Sequence, residues 1–541
     1  MNVSSSTANP ASTWLRDALR WGGAYERDPS EGADLVETHA SWVFLRRDEV
    51  FKVKRPVNLG FLDFRTSEQR RIACEAEVNL NRRLAPDVYL GVVPIVRDVG
   101  GRARTFGPGP VVDWAVRMRR LPDEPRADRL LAAGRLDPER LDRIAHTLAA
   151  FHAACGTDAT IARYGSPVMI DRNLEENFAQ TADSIEEYMR VDEAEDLRRW
   201  QRAFLRGHAA TFARRIADGR VRDGHGDLRL EHVYFAGPNE RVTILDCIEF
   251  NERFRYADVC ADLAFLSMDL AAHGRVDLAE RFLAAYARAA QDFDLYAVVD
   301  FYESYRAFVR GKVSAMLAHD PSVGADARRR ANEEARRYFL LALSCTRRSL
   351  LLPAVVAVGG VIASGKSTIA DRIGPDLGAP VVDSDRTRKA MMGVDLTQRL
   401  PDRAWSGAYD PAFTERVYAE VLRRADVVLA SGRPVVIDAS FRSGAMRAAA
   451  RELANRHGVP FRFVECRTAA DVCRRRLLDR EGRPGVSDGR TAIFDEFCAR
   501  FEPVVDLAPP EHVVLDGGRP VEESRGILRG ALDVWPRGFG G

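Results

Sequence analysis

The sequence lacks the features that would place it among membrane, secreted or strongly charged proteins. Its 541 residues carry 80 basic and 79 acidic side chains, so no excess charge calls for a nucleic acid or an anionic membrane surface. No apolar run reaches the roughly 18 residues that suggest a membrane span, and the N-terminal stretch has no apolar signal core. The eight cysteines include no C-x-x-C pair, which argues against a disulfide or zinc framework. We therefore expect a cytoplasmic protein that does not act at a membrane.

Length and periodicity predict two folded domains. A chain of 541 residues is too long for one hydrophobic core. After a loose segment over 1–30, a domain is predicted over 31–348, with β-rich runs in a small lobe (31–120) and helical periodicity in a second lobe (121–348). Over 349–541, strand and helix patterns alternate, which implies a parallel sheet with helices on both faces. The predicted fold is therefore an α+β domain followed by an α/β domain.

The most specific string is GVIASGKS, a complete G-x-x-x-x-G-K-[ST] loop that directly follows the apolar run VVAV. A buried strand that ends in a glycine turn lets backbone N–H groups converge on an anion at the next helix N-terminus. Gly360 and Gly365 allow the turn, and Lys366 reaches the β and γ phosphates. The Ser367 hydroxyl, with Thr368 beside it, can ligate Mg²⁺. The string predicts that the chain binds ATP together with Mg²⁺.

Two carboxylates follow the second predicted strand of this domain, in the string VVDSDRTRK. The end of that strand lies at the ligand-bearing edge of an open α/β sheet. A kinase that acts on a hydroxyl needs a carboxylate within hydrogen-bond reach of it, and a nearby cation helps to hold the acceptor. Asp385 and Arg388 are predicted to supply these two roles. The alternative is that Asp383 or Ser384 only caps the following helix.

Three later segments of the same domain fit phosphoryl transfer. PVVIDAS ends a predicted strand at Asp438, whose carboxylate can hold Mg²⁺ or its water, although a strand-end Asp can also be a helix cap. RRRLLDR places Arg476 and Arg480 on one helical face. There they can neutralise charge on the transferred phosphoryl group, and the alternative is a solvated basic face. The glycine-rich segment 481–490 is predicted to be a hinged lid.

The stretch from Val355 to about Leu507 resembles the P-loop kinases related to polynucleotide kinase, zeta toxin and chloramphenicol phosphotransferase. In the polynucleotide kinase pattern, an Asp with an Arg three residues later follows the second strand, which corresponds here to Asp385 and Arg388. The resemblance implies that Asp385 is the general base. It leaves the acceptor open, because relatives phosphorylate nucleic-acid ends, antibiotics, sugars and nucleotide sugars. A nucleic-acid acceptor is allowed but not favoured, because the charge is balanced.

In the N-terminal domain the sharpest string is HGDLRLEH, which is followed by ILDCIEF. These strings place Asp227, His232 and Asp246 around a β-like island in an otherwise helical region. Kinase chemistry uses one Asp near the acceptor hydroxyl and two further ligands that hold Mg²⁺ across the phosphates. Asp227 is the predicted catalytic residue, and His232 and Asp246 are the predicted metal ligands. The alternative for His232 is a hydrogen-bonded core histidine.

The string VFKVKRP is typical of a strand whose two lysines, Lys52 and Lys54, share one face. Aligning its apolar positions with the V-A-I-K pattern of kinases puts Lys54 at the phosphate-pairing position. The helical segment that follows offers Glu77, or with less support Glu75, as the partner of this lysine. We predict that Lys54 and Glu77 belong to a nucleotide site.

This arrangement resembles the aminoglycoside phosphotransferase branch of the protein-kinase-like fold over about residues 35–320. The family pattern is H-G-D-x-x-x-x-N, then I-D, then D-x-x-x-D-L-A; the last appears as DVCADLA, which implies that Asp258 and Asp262 brace the catalytic loop. Two departures stand out. His232 replaces the Asn metal ligand, and ETHASWVF (37–44) stands where a glycine-rich loop would cover the phosphates. The site therefore either works with altered geometry or binds nucleotide without much turnover.

The order of the two domains resembles a bacterial group labelled as aminoglycoside phosphotransferase and ATP-binding bifunctional proteins. The resemblance implies a two-headed ATP-dependent phosphotransferase in which each half phosphorylates a hydroxyl of a small molecule. One alternative is a P-loop kinase or ATPase regulated by a weakly active or inactive kinase-like sensing domain. Another is a toxin-like or nucleic-acid-end kinase. The sequence names neither the acceptor nor the oligomeric state, and the label indicates ancestry rather than antibiotic resistance.

Overall fold

The computed structural model of the protein describes residues 10–38, 40–58, 62–321, 323–344, 351–400, 405–481 and 485–535. The chain divides into two compact units. The first comprises Met1–Asp137, Ala154–Met169 and Ile216–Asp262, and the second comprises Pro138–Ala153, Ile170–Arg215 and Leu263–Gly541. These units follow packing, whereas the predicted domains follow chain order, so the predicted domain boundaries stay a prediction. Within the described ranges, no helix is both long enough and apolar enough to cross a membrane.

The described strands are, in chain order, β1 (Asp34–Glu37), β2 (Ser41–Leu45), β3 (Glu49–Lys54), β4 (Tyr89–Arg97), β5 (Ala103–Arg104), β6 (Val111–Arg119), β7 (Val221–Asp223), β8 (Val233–Ala236), β9 (Arg241–Ile244), β10 (Tyr256–Asp258), β11 (Val355–Gly359), β12 (Val381–Asp383), β13 (Val435–Asp438), β14 (Phe461–Arg467) and β15 (His512–Asp516). The described α-helices are α1 (Pro10–Ala18), α2 (Ser67–Asn81), α3 (Ala127–Ala132), α4 (Pro138–Ala154), α5 (Ala159–Ala162), α6 (Pro167–Thr181), α7 (Val191–Gly207), α8 (Ala209–Ala217), α9 (Glu252–Arg255), α10 (Val259–Ala272), α11 (Val276–Ala290), α12 (Val299–His319), α13 (Ala325–Ser344), α14 (Lys366–Leu377), α15 (Ser384–Met392), α16 (Pro411–Ala430), α17 (Gly444–His457), α18 (Ala470–Arg480), α19 (Phe494–Ala499) and α20 (Val521–Ala531).

A six-stranded antiparallel sheet, in the order β1-β2-β3-β6-β4-β5, forms the centre of the first unit. Phe44 and Phe51 on one face of this sheet share a buried cluster with Leu15 of α1. On the other face, Val78 of α2 and Val116 of β6 belong to a second cluster. Full burial of a side chain of this size stabilises the fold by about 1.5–3 kcal/mol. Because side chains alternate along β3, its lysines lie on the face that α2 covers.

Helix α2 begins at a reciprocal N-terminal cap. The Thr66 hydroxyl accepts a hydrogen bond from the Gln69 N–H at 3.2 Å, and the Gln69 side chain accepts one from the Thr66 N–H at 2.9 Å. Such a cap stabilises a helix by about 1 kcal/mol. The cap fixes where the helix starts, and about three turns later the helix carries Glu77. It thereby positions the residue that the sequence predicts as the lysine's partner.

The second unit contains a five-stranded sheet in the order β12-β13-β11-β14-β15, with every strand pair parallel. Its central strands are apolar and buried on both faces, as Val356 and Val436 illustrate. In the strand register, Asp438 at the end of β13 lies between Val358 of β11 and Asp383 of β12. Parallel strands share one carboxyl edge, so the phosphate loop after β11 and both aspartates meet there.

The predicted fold classes are confirmed, and most predicted elements are found. The helix expected near 67–84 is α2, which ends at Asn81, and each predicted strand of the C-terminal domain is present. The sequence analysis does not predict β5, β7 and β10, because the segments AR, VRD and YAD contain no apolar run. The last helix of the N-terminal domain, predicted to residue 348, is α13; residues 345–348 lie outside the described residues.

Candidate active sites

The phosphate-binding loop of the second unit has the backbone conformation that its glycines predict. Gly360 and Gly365 have φ values of +140° and +97°, and a Cβ on Gly360 would lie 2.5 Å from the Cys466 carbonyl oxygen. Ala363 also takes a left-handed φ of +60°, a strained conformation of the kind that clusters at functional sites. The Ser364 hydroxyl is buried and has no hydrogen-bond partner among the described residues. A strained loop with a spare buried hydroxyl fits a bound anion.

The groups that would hold Mg²⁺ meet at the start of α14. Ser367 donates a hydrogen bond to the Asp438 carboxylate. Burial raises the pKa of Asp438 to about 7, although the Lys366 ammonium opposes this shift. The Lys366 ammonium donates to the Val361 carbonyl at 2.9 Å, within its own loop. Mg²⁺ prefers one or two carboxylates plus water and phosphate oxygens, and this hydroxyl–carboxylate pair fits that preference.

A cavity of about 260 Å³ brings the predicted residues of the P-loop domain together. Lys366, Ser367, Thr368, Asp385 and Asp438 all line it. Among the described residues, no group of three or more His, Cys, Asp and Glu side chains is arranged to hold a metal ion by itself. Because Asp385 and Lys366 line the same cavity, the candidate base lies beside the phosphate loop.

Asp383 and Asp385, where β12 passes into α15, have different surroundings. Asp383 is the N-cap of α15, because its carboxylate accepts a hydrogen bond from the Arg386 N–H at 2.6 Å. The capping alternative is thus correct for Asp383, and it leaves Asp385 available in the cavity. Burial raises the pKa of Asp385, while Arg388 and Lys366 oppose the shift. A carboxylate whose charged form is destabilised in this way accepts a proton more readily.

Arg388 is less available than the sequence suggests. Its side chain is only 5% exposed, and the guanidinium donates to the Ala408 carbonyl and lies 4.6 Å from the centre of the Tyr409 ring. It still lines the cavity and acts electrostatically on Asp385. The structure therefore favours Arg388 as a residue that positions the base over one that moves to grip the acceptor.

The two predicted arginines of α18 have different surroundings: Arg476 is half-buried, whereas Arg480 is exposed. Arg476 donates to the carbonyl oxygens of Ala363 at 3.2 Å and Gly517 at 2.8 Å, so it braces the phosphate loop. Arg480 lines the cavity. In the predicted lid, residues 482–484 lie outside the described residues, and Asp488 accepts a hydrogen bond from the Tyr409 hydroxyl at 2.7 Å.

Two aromatic rings from separate segments line the cavity, a feature that the sequence analysis missed. The rings of Trp405 and Phe497 stack with their centres 6.2 Å apart and both line the cavity. The Arg442 guanidinium lies 4.3 Å from the Trp405 ring centre and also lines the cavity. No string marks these residues, because they come from separate segments that only the fold brings together.

In the first unit, one lysine connects the two carboxylates of a kinase-like site. The Lys52 ammonium lies 2.9 Å from Glu77 and 2.7 Å from Asp246. Burial alone would lower the pKa of Lys52, but Asp246 and Glu77 outweigh it and raise that pKa well above its usual value. The predicted partner Glu77 is fully buried, whereas Glu75, the alternative, pairs with Arg71 on the surface. Glu77 is therefore the residue that anchors the lysine.

The structure places Lys54 deeper in the protein than Lys52. Its side chain is 2% exposed, lies 2.6 Å from Glu77 and forms a second ion pair with Glu249, an interior acid that the sequence analysis did not single out. Lys52 is 17% exposed and is the lysine that meets Asp246. Both lysines share one face of β3, so strand alternation could not choose between them. In the structure, Lys54 lies between Glu77 and Glu249, whereas Lys52 lies between Glu77 and Asp246.

Asp227, His232 and Asp246 converge, as predicted. The His232 ring nitrogens lie 3.9 Å from the Asp227 carboxylate and 3.8 Å from the Asp246 carboxylate. The Nδ1 atom of His232 is 2.7 Å from the Asp227 carbonyl oxygen, which fits an N–H donor at that position. His232 is 8% exposed, as a core histidine would be. It nevertheless lies between the carboxylates of Asp227 and Asp246, so both interpretations of this residue stay open. Asp246 takes a left-handed φ of +65°.

The loop that carries Asp227 is hydrogen-bonded to α10, as the resemblance to the family pattern implies. The Asp262 carboxylate accepts hydrogen bonds from the backbone N–H groups of His225 at 2.7 Å and Gly226 at 2.8 Å. The Asp258 carboxylate accepts one from the Cys260 N–H at 2.9 Å, within the start of α10. Asp262 is therefore the direct brace of the loop that carries Asp227.

Lysine is a signal that the sequence analysis overlooked. The chain has five lysines, and four of them are Lys52, Lys54, Lys366 and Lys389. The first three belong to the two clusters described above, and Lys389 lies 3.5 Å from Asp488 behind the P-loop cavity. The fifth, Lys312, donates to Asn177 and Gln180 outside both clusters, so the rarity of lysine is a signal for these sites but not a rule.

Comparison with known proteins agrees with this division of sites. A family model described as the phosphotransferase enzyme family matches residues 43–302, and one described as an AAA domain matches residues 355–504. The uncharacterized protein Rv2004c of Mycobacterium tuberculosis is 35% identical over 470 residues, which cover 86% of this chain and 90% of that protein. Shikimate kinase of Salinibacter ruber is 30% identical over 190 residues, which cover 32% of this chain and 83% of that protein.

Two solved structures are similar to single parts of the chain. The GDP complex of aminoglycoside 2′-phosphotransferase-IIIa is 15% identical, covers 57% of this chain and 92% of its own, and has a TM-score of 0.34. A gluconokinase from Sinorhizobium meliloti 1021 is 25% identical, covers 35% of this chain and 94% of its own, and has a TM-score of 0.24.

The match to Rv2004c runs along most of both chains, so the likeness is not confined to one domain. The two family models match separate parts of the chain, one ending at residue 302 and the other beginning at residue 355. The chain therefore belongs to the family of the mycobacterial protein Rv2004c, and its phosphotransferase domain and P-loop kinase domain make it an ATP-dependent phosphotransferase.

Proposed function

We propose that the protein is a bifunctional kinase, in which each of two sites transfers the γ-phosphoryl group of ATP to a hydroxyl of a small molecule. One observation carries this proposal. Each cluster of candidate phosphate-binding groups has its own carboxylate beside it. Asp385 lines the same cavity as Lys366. Asp227 and Asp246 lie 3.9 Å and 3.8 Å from the His232 imidazole. A single triphosphate site would explain only one of these clusters.

In the P-loop site, Lys366 would bind the β and γ phosphates and Asp385 would act on the acceptor. Ser367 and Asp438 would hold Mg²⁺, which offsets charge on the phosphate oxygens when bound. The acceptor oxygen attacks the γ-phosphorus, the bond to the bridging oxygen of ADP breaks, and the acceptor proton passes to Asp385. Arg480 lines the same cavity and supplies a further cation near the transferred group.

In the kinase-like site, Lys52 would pair with the ATP phosphates in the place that the sequence assigned to Lys54. Glu77 holds its ammonium from behind, and Asp246 and His232 would hold Mg²⁺. Asp227 would take the proton of the second acceptor. Arg229 lies 3.2 Å from the Asp227 carboxylate, so it fixes the direction in which that carboxylate points.

The acceptor of the P-loop site is proposed to be small, with a flat or apolar portion and a negative charge. Trp405 and Phe497 offer a stacked aromatic surface, and Arg442 offers a cation beside it. The likeness to shikimate kinase, whose name identifies a small-molecule kinase, supports a small acceptor. The balanced charge of the chain does not favour a nucleic acid or a membrane surface. A cytoplasmic location, where ATP is plentiful and thiols stay reduced, belongs to this proposal.

Two single substitutions test the proposal. Asp227→Asn and Asp385→Asn remove one carboxylate each and keep the shape of the side chain. Each variant is assayed for transfer of radiolabelled phosphate from ATP to a panel of sugars, hydroxy acids and aminoglycosides. We expect each variant to lose a different set of products. If either substitution leaves every product unchanged, the corresponding site does not transfer phosphate and the bifunctional proposal is wrong.

A second candidate function is a P-loop kinase regulated by a weakly active kinase-like domain. The observation that favours it is His232, a poorer ligand for Mg²⁺ than the Asn of the family pattern. In that case Asp227→Asn changes no product, while nucleotide binding to the first unit alters the rate at the P-loop site. Phosphorylation of a 5′-hydroxyl oligonucleotide that Asp385→Asn abolishes would instead indicate a nucleic-acid-end kinase.

A further inference from the structure

One residue of the P-loop cavity comes from outside the P-loop domain. Arg288 lies on α11, within the stretch that matches the phosphotransferase family, and it lines the cavity together with Ser367 and Asp438. Both α11 and the parallel sheet belong to the second compact unit. The P-loop site is thus completed by a side chain that its own family pattern does not contain.

Arg288 contacts the carboxylates that border the phosphate loop. Its guanidinium lies 2.5 Å from Asp371 on α14 and 3.4 Å from Asp383 at the end of β12. Burial lowers the pKa of Arg288, but the carboxylates around it outweigh this effect and raise it. The side chain remains 24% exposed. It therefore joins the helix after the phosphate loop to the strand that leads to Asp385.

The charge around this edge of the sheet shows why a cation is needed. Asp383, Asp385 and Asp438 line one cavity, and ATP brings further negative charge to it. Like charges at such distances oppose one another strongly where water is partly excluded. In the proposed reaction Lys366 would bind the phosphates, while Arg288 and Arg386 are the arginines that pair with Asp383 among the described residues. The geometry makes Arg288 part of the electrostatic balance of the site.

The helix that carries Arg288 is held firmly against the P-loop part of the second unit. Gln291, directly after α11, accepts a hydrogen bond from Arg424 of α16 at 2.7 Å. Glu280, which is also on α11, pairs with Arg433 at 2.7 Å. These contacts lie outside the cavity lining and fix the helix without contributing to the site. Arg288 consequently reaches the cavity from a rigid support.

We propose that Arg288 is a positioning residue of the P-loop reaction: it holds Asp383, and with it the start of α15 that bears Asp385, and it offsets the negative charge that opposes binding of Mg²⁺·ATP. This inference rests on the proposed function of the P-loop site. It makes the P-loop site depend on α11, so the phosphotransferase stretch of the chain is required for full ATP affinity at the other site.

The test uses the full chain and a fluorescent N-methylanthraniloyl derivative of ATP with Mg²⁺. The variants are Arg288→Ala, Arg288→Lys and Lys366→Ala, and the signal of interest is the part of the binding that Lys366→Ala removes. Arg423→Ala is the matched control, because Arg423 pairs with Asp294 at 2.8 Å in the same unit but does not line the cavity.

We expect Arg288→Ala to weaken this binding about tenfold, a loss that shrinks at high salt because it is electrostatic. Arg288→Lys should restore part of the affinity, and Arg423→Ala should leave it unchanged. Unchanged affinity in Arg288→Ala, or an equal loss in Arg423→Ala, would overturn the inference, the latter because it would show a general packing effect. If Lys366→Ala removes no binding at all, the proposed function of the P-loop site fails first, and this inference fails with it.

Discussion

The ammonium group of Lys52 lies 2.7 Å from the carboxylate of Asp246, although 194 residues separate them in the chain. This contact joins the six-stranded sheet of the first unit to the loop after β9, and Glu77 on α2 also pairs with Lys52. Its neighbour Lys54, two residues along the same strand, is occupied by Glu249. Lys52 therefore meets the carboxylate of Asp246, whereas Lys54 lies in the interior between two glutamates.

Lys52→Met and Lys54→Met should have different effects. Lys52→Met should abolish ATP binding to the first unit while the chain stays folded, because Lys54 still neutralises Glu77. Lys54→Met leaves Glu249 buried without its partner, and breaking a buried ion pair costs about 3–5 kcal/mol in the free energy of unfolding. Calorimetric titration with ATP and urea unfolding measure the two effects. A loss of ATP binding in Lys54→Met with unchanged unfolding would restore the original assignment of Lys54.

Asp385→Asn should lower the rate of phosphoryl transfer at the P-loop site by about 10² to 10⁴, the usual contribution of a general base. ATP binding should persist, because Lys366 and the loop backbone hold the phosphates. Asp395→Asn is the control, since this carboxylate accepts hydrogen bonds from Thr397 in its own turn, whose backbone N–H donates to it at 2.7 Å. Single-turnover kinetics with labelled ATP check both variants. Equal rates for Asp385→Asn and the wild type would exclude Asp385 as the base.

His225 should make the first unit less stable in acid. Burial lowers the pKa of His225 from 6.5 to about 4, and its Nε2 atom lies 2.9 Å from the Leu245 carbonyl oxygen. Between these values the unfolded chain binds a proton that the folded chain does not. The stabilisation is therefore complete above pH 6.5 and is lost as the pH falls towards 4, a change of about 3 kcal/mol.

Urea unfolding at several pH values measures this effect, with His225→Asn as the comparison. The variant has no imidazole to titrate, so its free energy of unfolding should depend less on pH between 6.5 and 4. Its absolute stability is also expected to fall, since the hydrogen bond to Leu245 is lost. Parallel pH profiles for the two proteins would show that His225 is not the group responsible.

His232→Asn should strengthen the interaction of Mg²⁺ with the kinase-like site. An amide oxygen suits Mg²⁺ better than an imidazole nitrogen, and changes around metal ligands alter affinity by about tenfold or more. The measurement uses a chain that also carries Asp385→Asn, so that turnover at the P-loop site is removed. In this chain His232→Asn should lower the Mg²⁺ concentration that gives half-maximal ATP turnover. His208→Asn serves as control, because His208 stacks on Phe204 in the second unit. An unchanged or higher Mg²⁺ requirement in His232→Asn would show that this side chain is not a metal ligand.

Local sequence patterns were enough to predict the phosphate loop and the order of the strands along the chain. The string around Lys366 contains its own turn, and buried parallel strands read as apolar runs, so β11 to β15 could be found without any long-range information. The helix cap at Asp383 was an open alternative, and only the observed hydrogen bond to Arg386 separated it from Asp385. The roles of neighbouring aspartates depend on where the helix starts, which a pattern locates to within a few residues.

Residues that complete the sites from a distance could not be predicted. Arg288 and Asp371 are 83 positions apart, and Arg442 and Trp405 belong to separate loops. Nothing in a single sequence couples such pairs, because an arginine on a helix face has the same pattern whether it meets water or a cavity. Glu249, which pairs with Lys54 across 195 positions of the chain, could not be predicted for the same reason.

The amino-acid sequence by itself determined the phosphate loop, the two fold classes and the carboxylates that serve them, since each depends on residues close together in the chain. Only the tertiary structure decided which lysine meets Asp246, which aspartate caps α15 and which arginine reaches the P-loop cavity from α11. These choices depend on how buried charges neutralise one another, and that balance is set by contacts between segments far apart in the chain.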